Sequence, residues 1–169
     1  MSEYLPRVVD AELDELLAGL PAVAVEGPKG VGKTETASRR AKTVIALDDQ
    51  AMQAIVRADV TEILRGPKPI LLDEWQLARA SWDAVRRAVD RDQQANQFLL
   101  TGSACPSIAP THSGAGRIVT LRMRPLALSE RGVGKPTVSL AELMQGARGL
   151  IRGGADVALA ASVPALLTS

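Results

Sequence analysis

The sequence is poor in aromatic residues, which make up only 2% of its 169 residues. Aromatic side chains bury the largest areas, so a core has to be built here mainly from Leu, Val, Ile and Ala. Cysteine is also scarce, since Cys105 is the single one. One cysteine excludes a disulfide within the chain and is typical of a protein kept in a reducing compartment.

Long apolar runs and an excess of charge of one sign are lacking as well. No stretch reaches the ~18 apolar residues of a membrane-spanning helix. The first residues, "MSEYLPRVVDAELDELL", carry acidic groups early, unlike a secretory leader. The formal net charge is +1, so composition gives no argument for nucleic acid or an acidic membrane as a partner. We expect a cytoplasmic protein without membrane contact.

Short apolar runs alternate with helical patterns along the first part of the chain. A helix is predicted for residues 10–20. Five runs are predicted as strands: residues 22–26, 43–49, 69–74, "NQFLLTGS" and "RIVTLRM". The first two of these are expected to be buried. The alternation predicts an α/β fold with a five-stranded, mostly parallel sheet flanked by helices.

The pattern changes after residue 131. The remaining residues contain several glycines, two weak helical patterns and no clear strand. We therefore predict one domain over residues 1–131, with the first helix included, and a short C-terminal appendage over residues 132–169.

The stretch "GPKGVGKTE" matches the pattern G-x-x-x-x-G-K-[ST] between a predicted strand and a predicted helix. In such a loop, backbone N–H groups converge on a helix N-terminus and favour an anion. Lys33 is predicted to reach the β- and γ-phosphates of a nucleotide, and the Thr34 hydroxyl to ligate Mg²⁺. The alternative is a plain glycine turn. The predicted nucleotide contacts are Gly27, Pro28, Lys29, Gly30, Val31, Gly32, Lys33, Thr34 and Glu35.

Two carboxylates end the third predicted strand, in "PILLDEW". In a phosphate-loop protein, an aspartate at this position holds Mg²⁺, so Asp73 is the second candidate metal ligand. A glutamate that follows it can orient or deprotonate an attacking water, which makes Glu74 a candidate general base. The alternative is an acidic pair that caps the next helix.

The fourth strand and the residues before the fifth supply two further catalytic candidates. Thr101, in "FLLTGS", is predicted to sense the γ-phosphate or the water, with Ser103 as second choice. The alternative is turn chemistry, because Thr, Gly and Ser all favour corners. Arg117 follows a glycine-rich loop and is predicted to reach a γ-phosphate in its own subunit or in a neighbour. The alternative is a surface arginine.

Other residues that often carry chemistry have simpler interpretations. His112 is the only histidine, so a histidine-based metal cluster is excluded, and we expect it to be a loop residue. We expect Cys105 to be inert. Trp75 and Trp82 are predicted to pack the helix that follows the third strand.

Taken together, "YLPRVVD", "GPKGVGKT", "LLDEWQ", "LLTGS", "HSGAGR" and "RMRPLALSE" resemble the prokaryotic AAA-type ATPases that carry an uncharacterised second domain at the C-terminus. The resemblance covers roughly residues 4–131. It implies a RecA-like sheet in which the strand of Thr101 lies between the strands of the two nucleotide motifs. It also implies ATP and Mg²⁺, with the roles given above for Lys33, Thr34, Asp73, Glu74, Thr101 and Arg117.

The resemblance also implies a longer chain, because a second domain follows the ATPase domain in that group. Here "DVALAASVPALLTS" ends where that domain is expected to begin. The expectation is a short paralogue or a truncated chain.

The leading hypothesis is an ATP-binding domain with slow, Mg²⁺-dependent hydrolysis of ATP to ADP and phosphate, helped by a homo-oligomer or protein partner. A second hypothesis is a nucleotide-binding module or remnant without useful hydrolysis. A third is a small-molecule or nucleotide kinase, which the Asp73–Glu74 pair makes less favourable. Direct nucleic-acid binding is not supported, because basic clusters and aromatic stacking platforms are few.

Overall fold

The predicted alternation of strands and helices is present in the computed structural model of the chain, which describes residues 4–103, 114–127, 129–131 and 138–147. Five strands form one sheet in which every described pairing is parallel. They are β1 (Ala22–Gly27), β2 (Thr43–Ala46), β3 (Ile70–Asp73), β4 (Phe98–Ser103) and β5 (Val119–Arg122). The predicted α/β fold is therefore confirmed.

Helices flank the sheet, as parallel neighbours require crossovers on its faces. The flanking helices are α1 (Val9–Gly19), α2 (Lys33–Ser38), α3 (Gln50–Ala58) and α4 (Ala80–Arg91), with 3₁₀ helices at Val60–Leu64 and Trp75–Ala78. A further short helix, α5 (Leu140–Met144), comes later in the chain. Asp59 separates α3 from the first 3₁₀ helix and accepts hydrogen bonds from the hydroxyl and amide of Thr61. These bonds, the hydroxyl's first, hold the pKa of Asp59 below its usual range.

The strand order is β2-β3-β4-β1-β5. The strand of Thr101, β4, thus lies between β1, which leads into the glycine loop, and β3, which ends at Asp73. All carboxyl ends of parallel strands lie at one edge of the sheet, where the loops after β1, β3 and β4 meet. This position of β4 between β1 and β3 is the one that the family resemblance implied.

The three central strands, β3, β4 and β1, are buried on both faces, and alternate residues of each strand point to opposite sides. One face packs against α1 and α2, in a cluster formed by Leu13, Leu17, Val23, Val25, Val31, Ala37, Leu71, Leu99, Leu121 and Met123. The other face packs against α3 and α4, where Trp75, Trp82, Val85, Val89 and Phe98 join the alternate strand residues. Each buried Val, Leu or Phe contributes roughly 1.5–3 kcal/mol to folding. The three aromatic residues that are buried, Trp75, Trp82 and Phe98, all lie on this second face.

Strand β2 differs from the prediction of a buried strand over residues 43–49. It ends at Ala46, and Val44 is 52% exposed. The reason is its place in the sheet, because β2 pairs only with β3 among the described strands and forms an edge. A sequence run cannot reveal which strands lie at the edges.

The chain divides into two compact units. Val8–Pro125 forms one unit, which contains the whole sheet, and a second unit joins the described residues of Met1–Arg7 and Leu126–Ser169. Within the second unit, the buried side chains of Arg7 and Glu130 form an ion pair, with Nε 3.1 Å from Oε1. The domain boundary that we place after residue 131 stays a prediction. None of the helices in the described ranges is long and apolar enough to cross a membrane.

Candidate functional site

Three strands of the sheet end in the residues that the motifs singled out. β1 runs into the glycine loop, β3 ends at Asp73 and β4 carries Thr101 close to its end. The register aligns Val25 of β1 with Thr101, and Leu72 of β3 with Leu100, so the three strand ends lie at one level. We call the carboxyl ends of β1, β3 and β4, together with Lys33 and Thr34, the carboxyl edge of the sheet.

The glycine loop turns where a side chain is not tolerated. A Cβ built on Gly27 would lie 2.2 Å from the backbone oxygen of Met123, which follows β5. Gly32, immediately before α2, has a φ of 92°, a conformation that residues with a side chain rarely adopt. The loop therefore depends on glycine for close strand packing at its start and for a left-handed turn at its end.

Val31 and Lys33 hold the loop from inside. Val31 is buried in the cluster between the sheet and α1–α2, which anchors the middle of the loop to the core. The Lys33 ammonium, also buried, donates hydrogen bonds to the backbone oxygens of Gly27 at 3.1 Å and Pro28 at 2.8 Å. An ammonium has three N–H donors, so Lys33, which these bonds hold in place, can also donate to a phosphate group bound at the loop.

One oxygen of Asp73 joins three elements of the fold through hydrogen bonds from Thr34 and Thr101. The Thr34 hydroxyl at the start of α2 donates to Asp73 Oδ1 at 2.7 Å. Thr101 is 1% exposed, and its hydroxyl donates to the same oxygen. Asp73 is thus held from two sides, by the phosphate-loop helix and by the strand between β1 and β3.

These groups fit a divalent cation of the Mg²⁺ type. The Thr34 hydroxyl and the Asp73 carboxylate are hard oxygen ligands, and they already lie within 2.7 Å of each other. Among the described residues no three His, Cys, Asp or Glu side chains are grouped so that they could hold a metal ion by themselves. A metal here would share its ligands with phosphate oxygens and water, which is how Mg²⁺ is usually held.

Glu74 has an unusual backbone. Its φ is 54° and its ψ is 46°, a left-handed conformation that costs a non-glycine residue roughly 1–3 kcal/mol. Its side chain is half-buried and accepts a hydrogen bond from the Gln76 amide nitrogen. This conformation turns the chain sharply from β3 into the 3₁₀ helix Trp75–Ala78.

The remaining predicted contacts lie on the outer side of the loop. Pro28, Lys29 and Gly30 are exposed, and Ser103 is half-buried at the end of β4. Glu35 is exposed and pairs with Arg39 one turn later in the chain, at 2.9 Å. Solvent-facing side chains of this kind do not by themselves define a binding role.

Arg117 lies at the opposite edge of the sheet. It precedes β5, whose first residue is level with Val23 near the start of β1. Since β1 has six residues, Arg117 lies roughly 20 Å below the loop at ~3.3 Å per residue. Its Nε donates to Asp90, near the end of α4, at 2.7 Å. The structure does not bring Arg117 to the phosphate loop of its own chain, and a role toward a neighbouring subunit stays a prediction.

The two tryptophans pack as predicted. Trp75 and Trp82 are each 4% exposed, and their ring centroids are 4.7 Å apart on the face covered by α4. The predictions for Cys105 and His112 fall outside the described residues.

Two contributors were missed by the sequence interpretation. Gln76 stands in the quoted stretch "LLDEWQ" yet was given no role, although its spacing from Glu74 places the two side chains near each other in a tight turn. Arg40 was also missed. It pairs with Asp10 of α1 at 3.2 Å and with Asp14, and donates to the Thr36 backbone oxygen at 2.9 Å. It therefore ties the helix of the phosphate loop to α1.

The parallel sheet, the strand order and the glycine loop define the class of the protein, a P-loop domain of the ATPase type. The chain belongs to the AAA domain family, whose model matches residues 20–132, more than half of the sequence. This agrees with the resemblance and makes the chain a nucleotide-binding, ATPase-like domain. A comparison with curated proteins finds no match.

Proposed function

We propose that the protein binds ATP with Mg²⁺ and hydrolyses it slowly to ADP and phosphate. The observation that carries the proposal is the contact of Thr34 and Thr101 with one oxygen of Asp73, beside a glycine loop that contains a buried lysine. A hydroxyl, a carboxylate and an ammonium at the carboxyl edge of the sheet match the charge and ligand needs of a nucleoside triphosphate with its metal.

The roles follow from the chemistry of each group. Lys33 binds the β- and γ-phosphates, while Thr34 and Asp73 ligate the metal, which when bound neutralises phosphate charge. The Thr101 hydroxyl keeps Asp73 in place for that task. Positioning and charge stabilisation supply most of the catalysis of phosphoryl transfer, so little else is needed from the protein.

Glu74 acts as the general base. It takes a proton from a water molecule whose oxygen forms a bond to the γ-phosphorus. The bond from that phosphorus to the bridging oxygen breaks, and ADP leaves with the electron pair of that bond. The position of Glu74 directly after Asp73, with its carboxylate held by Gln76, supports this role.

The test compares ATP binding and phosphate release for the wild type, Lys33→Ala and Glu74→Gln. We expect Lys33→Ala to lose nucleotide affinity and Glu74→Gln to bind normally while its turnover falls by about 10²–10⁴-fold. Equal binding by all three chains without turnover would contradict the proposal. It would favour a module that holds a nucleotide without hydrolysis. Transfer of phosphate to an added acceptor in place of water would indicate a kinase.

A neighbouring subunit is proposed to complete the site. Arg117 lies far from the loop of its own chain and is 44% exposed, which supports a role toward the nucleotide of a second copy. An arginine supplied in this way accelerates hydrolysis by about 10³–10⁵-fold in other phosphate-loop enzymes. We expect turnover per chain to rise with protein concentration in the wild type and to stay constant in Arg117→Ala. A flat response in both would contradict this role.

A further inference from the structure

Gln76 lies between the candidate base and the strand that carries Thr101. Its amide nitrogen donates to Glu74 Oε2. Its amide oxygen lies against Gly102, because a Cβ built on Gly102 would be 2.6 Å from Gln76 Oε1. The Gln76 side chain thus spans from β4 to the carboxylate of Glu74.

The position of the Gln76 amide is energetically unfavourable. Gln76 Oε1 is buried and has no hydrogen-bond partner among the described residues. A buried acceptor without a partner is unfavourable, because it has lost its hydration and gained no hydrogen bond in exchange. Turning the amide over would place its oxygen against the Glu74 carboxylate, where two acceptors repel. A residue that served stability alone would not be expected to leave one end of its amide unpaired.

Gly102 explains how the amide reaches this place. The Cβ that any other residue brings would also lie 2.7 Å from Trp75 Nε1. Gly102 is paired in register with Glu26 of β1, so the strand cannot move away without losing its place in the sheet. The glycine of "LLTGS" therefore leaves the space that Gln76 and Trp75 occupy.

We propose that Gln76 is a positioning residue, which holds the Glu74 carboxylate by one oxygen and leaves the other directed to the attacking water. This inference rests on the proposed hydrolysis of ATP. It also gives a reason for the left-handed backbone of Glu74, since the turn brings Glu74 and Gln76 side by side. A base that is held in one direction reacts faster than a mobile one, and misplacement by ~1 Å costs up to about 100-fold in rate.

The first test is Gln76→Met, which keeps the length of the side chain and removes the donor. We expect kcat to fall by about 10- to 100-fold, while KM and nucleotide affinity change less than about twofold. Gln76→Glu, which repels Glu74, should lower kcat at least as much. Gln53→Met is the matched control, because Gln53 is also half-buried and donates to a backbone oxygen, that of Leu47, at 2.9 Å. It should keep wild-type turnover.

A double variant separates positioning from general structural damage. If Gln76 acts through Glu74, adding Gln76→Met to Glu74→Gln should change the residual turnover less than about twofold. An undiminished 10- to 100-fold loss in that background, or wild-type kcat in Gln76→Met, would overturn the inference. If the wild type itself shows no turnover above Glu74→Gln, the proposed hydrolysis has failed.

A second readout does not depend on turnover. Crystal structures of the wild type and Gln76→Met should show the Glu74 carboxylate in one direction in the wild type and displaced in the variant. The same direction in both would overturn the inference even for an inactive protein. Gly102→Ala gives an independent variant, which should displace Gln76 and lower kcat like Gln76→Met.

Discussion

The two edges of the sheet have different chemistry. At the carboxyl edge, buried Lys33 and Thr101 meet Asp73 and the glycine loop through contacts between separate elements. At the amino edge, Arg117 pairs with Asp90, and their side chains are 44% and 37% exposed. We call this second cluster, Asp90 and Arg117, the amino-edge pair. One edge buries polar groups at a cost, and the other leaves them in water.

The difference indicates where function is concentrated. Exposed ion pairs contribute less than about 1 kcal/mol, so the amino-edge pair needs no functional explanation within one chain. Buried polar groups at the carboxyl edge lose hydration and are tolerated only with well-placed partners. Variants at the two edges should therefore differ strongly in effect.

The largest effect is expected for Asp73→Asn, which removes the charge and keeps the size of the side chain. Turnover at saturating nucleotide should fall by about 100-fold or more, because metal ligation contributes several kcal/mol to such reactions. Phosphate release over a Mg²⁺ titration measures it.

Asp92→Asn is the matched control for Asp73→Asn. Asp92 follows α4, and its Oδ1 accepts a hydrogen bond from the backbone N–H of Gln94 at 3.0 Å, away from the carboxyl edge. Its variant should keep turnover within about twofold. Similar turnover in the two variants would contradict a metal role for Asp73.

Gly27→Ala should destabilise the fold by about 2–3 kcal/mol, since the new Cβ meets the Met123 backbone oxygen at 2.2 Å. Urea unfolding measures the free energy of unfolding. Gly19→Ala at the end of α1 is the control, because a Cβ built at Gly19 has no atom within 4 Å. Equal stability of the two variants would contradict the close approach of the Met123 backbone to Gly27.

A smaller loss, about 1–2 kcal/mol, is expected for Arg40→Met, which breaks the pairs with Asp10 and Asp14 between α1 and the phosphate-loop helix. Arg39→Met is the control, since the pair of Arg39 with Glu35 is 47% and 60% exposed. It should change stability by less than about 0.5 kcal/mol. If thermal or urea unfolding gave the same values for both, Arg40 would not tie the helices together.

The smallest effect is expected for Arg117→Ala in dilute solution. Stability should fall by less than about 1 kcal/mol, and turnover should stay within about twofold of the wild type. Turnover measured at the lowest workable protein concentration tests this. A loss of about 10-fold or more at every concentration would mean that Arg117 reaches the site of its own chain.

The sequence allowed much of the carboxyl edge to be predicted. The glycine pattern, the strand before it and the acidic end of the third strand are all local sequence motifs. They therefore allow Lys33, Thr34 and Asp73 to be assigned to one site from the sequence. The five strands and the α/β class followed from the alternation of apolar runs with helical patterns. The position of the Thr101 strand came from the resemblance.

The rest depended on features that a linear pattern does not contain. The exposure of Val44 follows from strand order, and the place of Arg117 follows from the register of β5. The contact of Gln76 with Glu74 needs a left-handed backbone and the space above Gly102. No local sequence pattern predicts a left-handed backbone at a glutamate, because residues other than glycine rarely adopt this conformation.

The most direct test of nucleotide and metal binding at the carboxyl edge is a crystal structure of the chain with a non-hydrolysable ATP analogue and Mn²⁺ in place of Mg²⁺. We expect the phosphates to lie within the glycine loop beside Lys33, and an anomalous peak to place Mn²⁺ at the Thr34 hydroxyl near Asp73. A nucleotide bound elsewhere, or a metal that contacts neither residue, would contradict it.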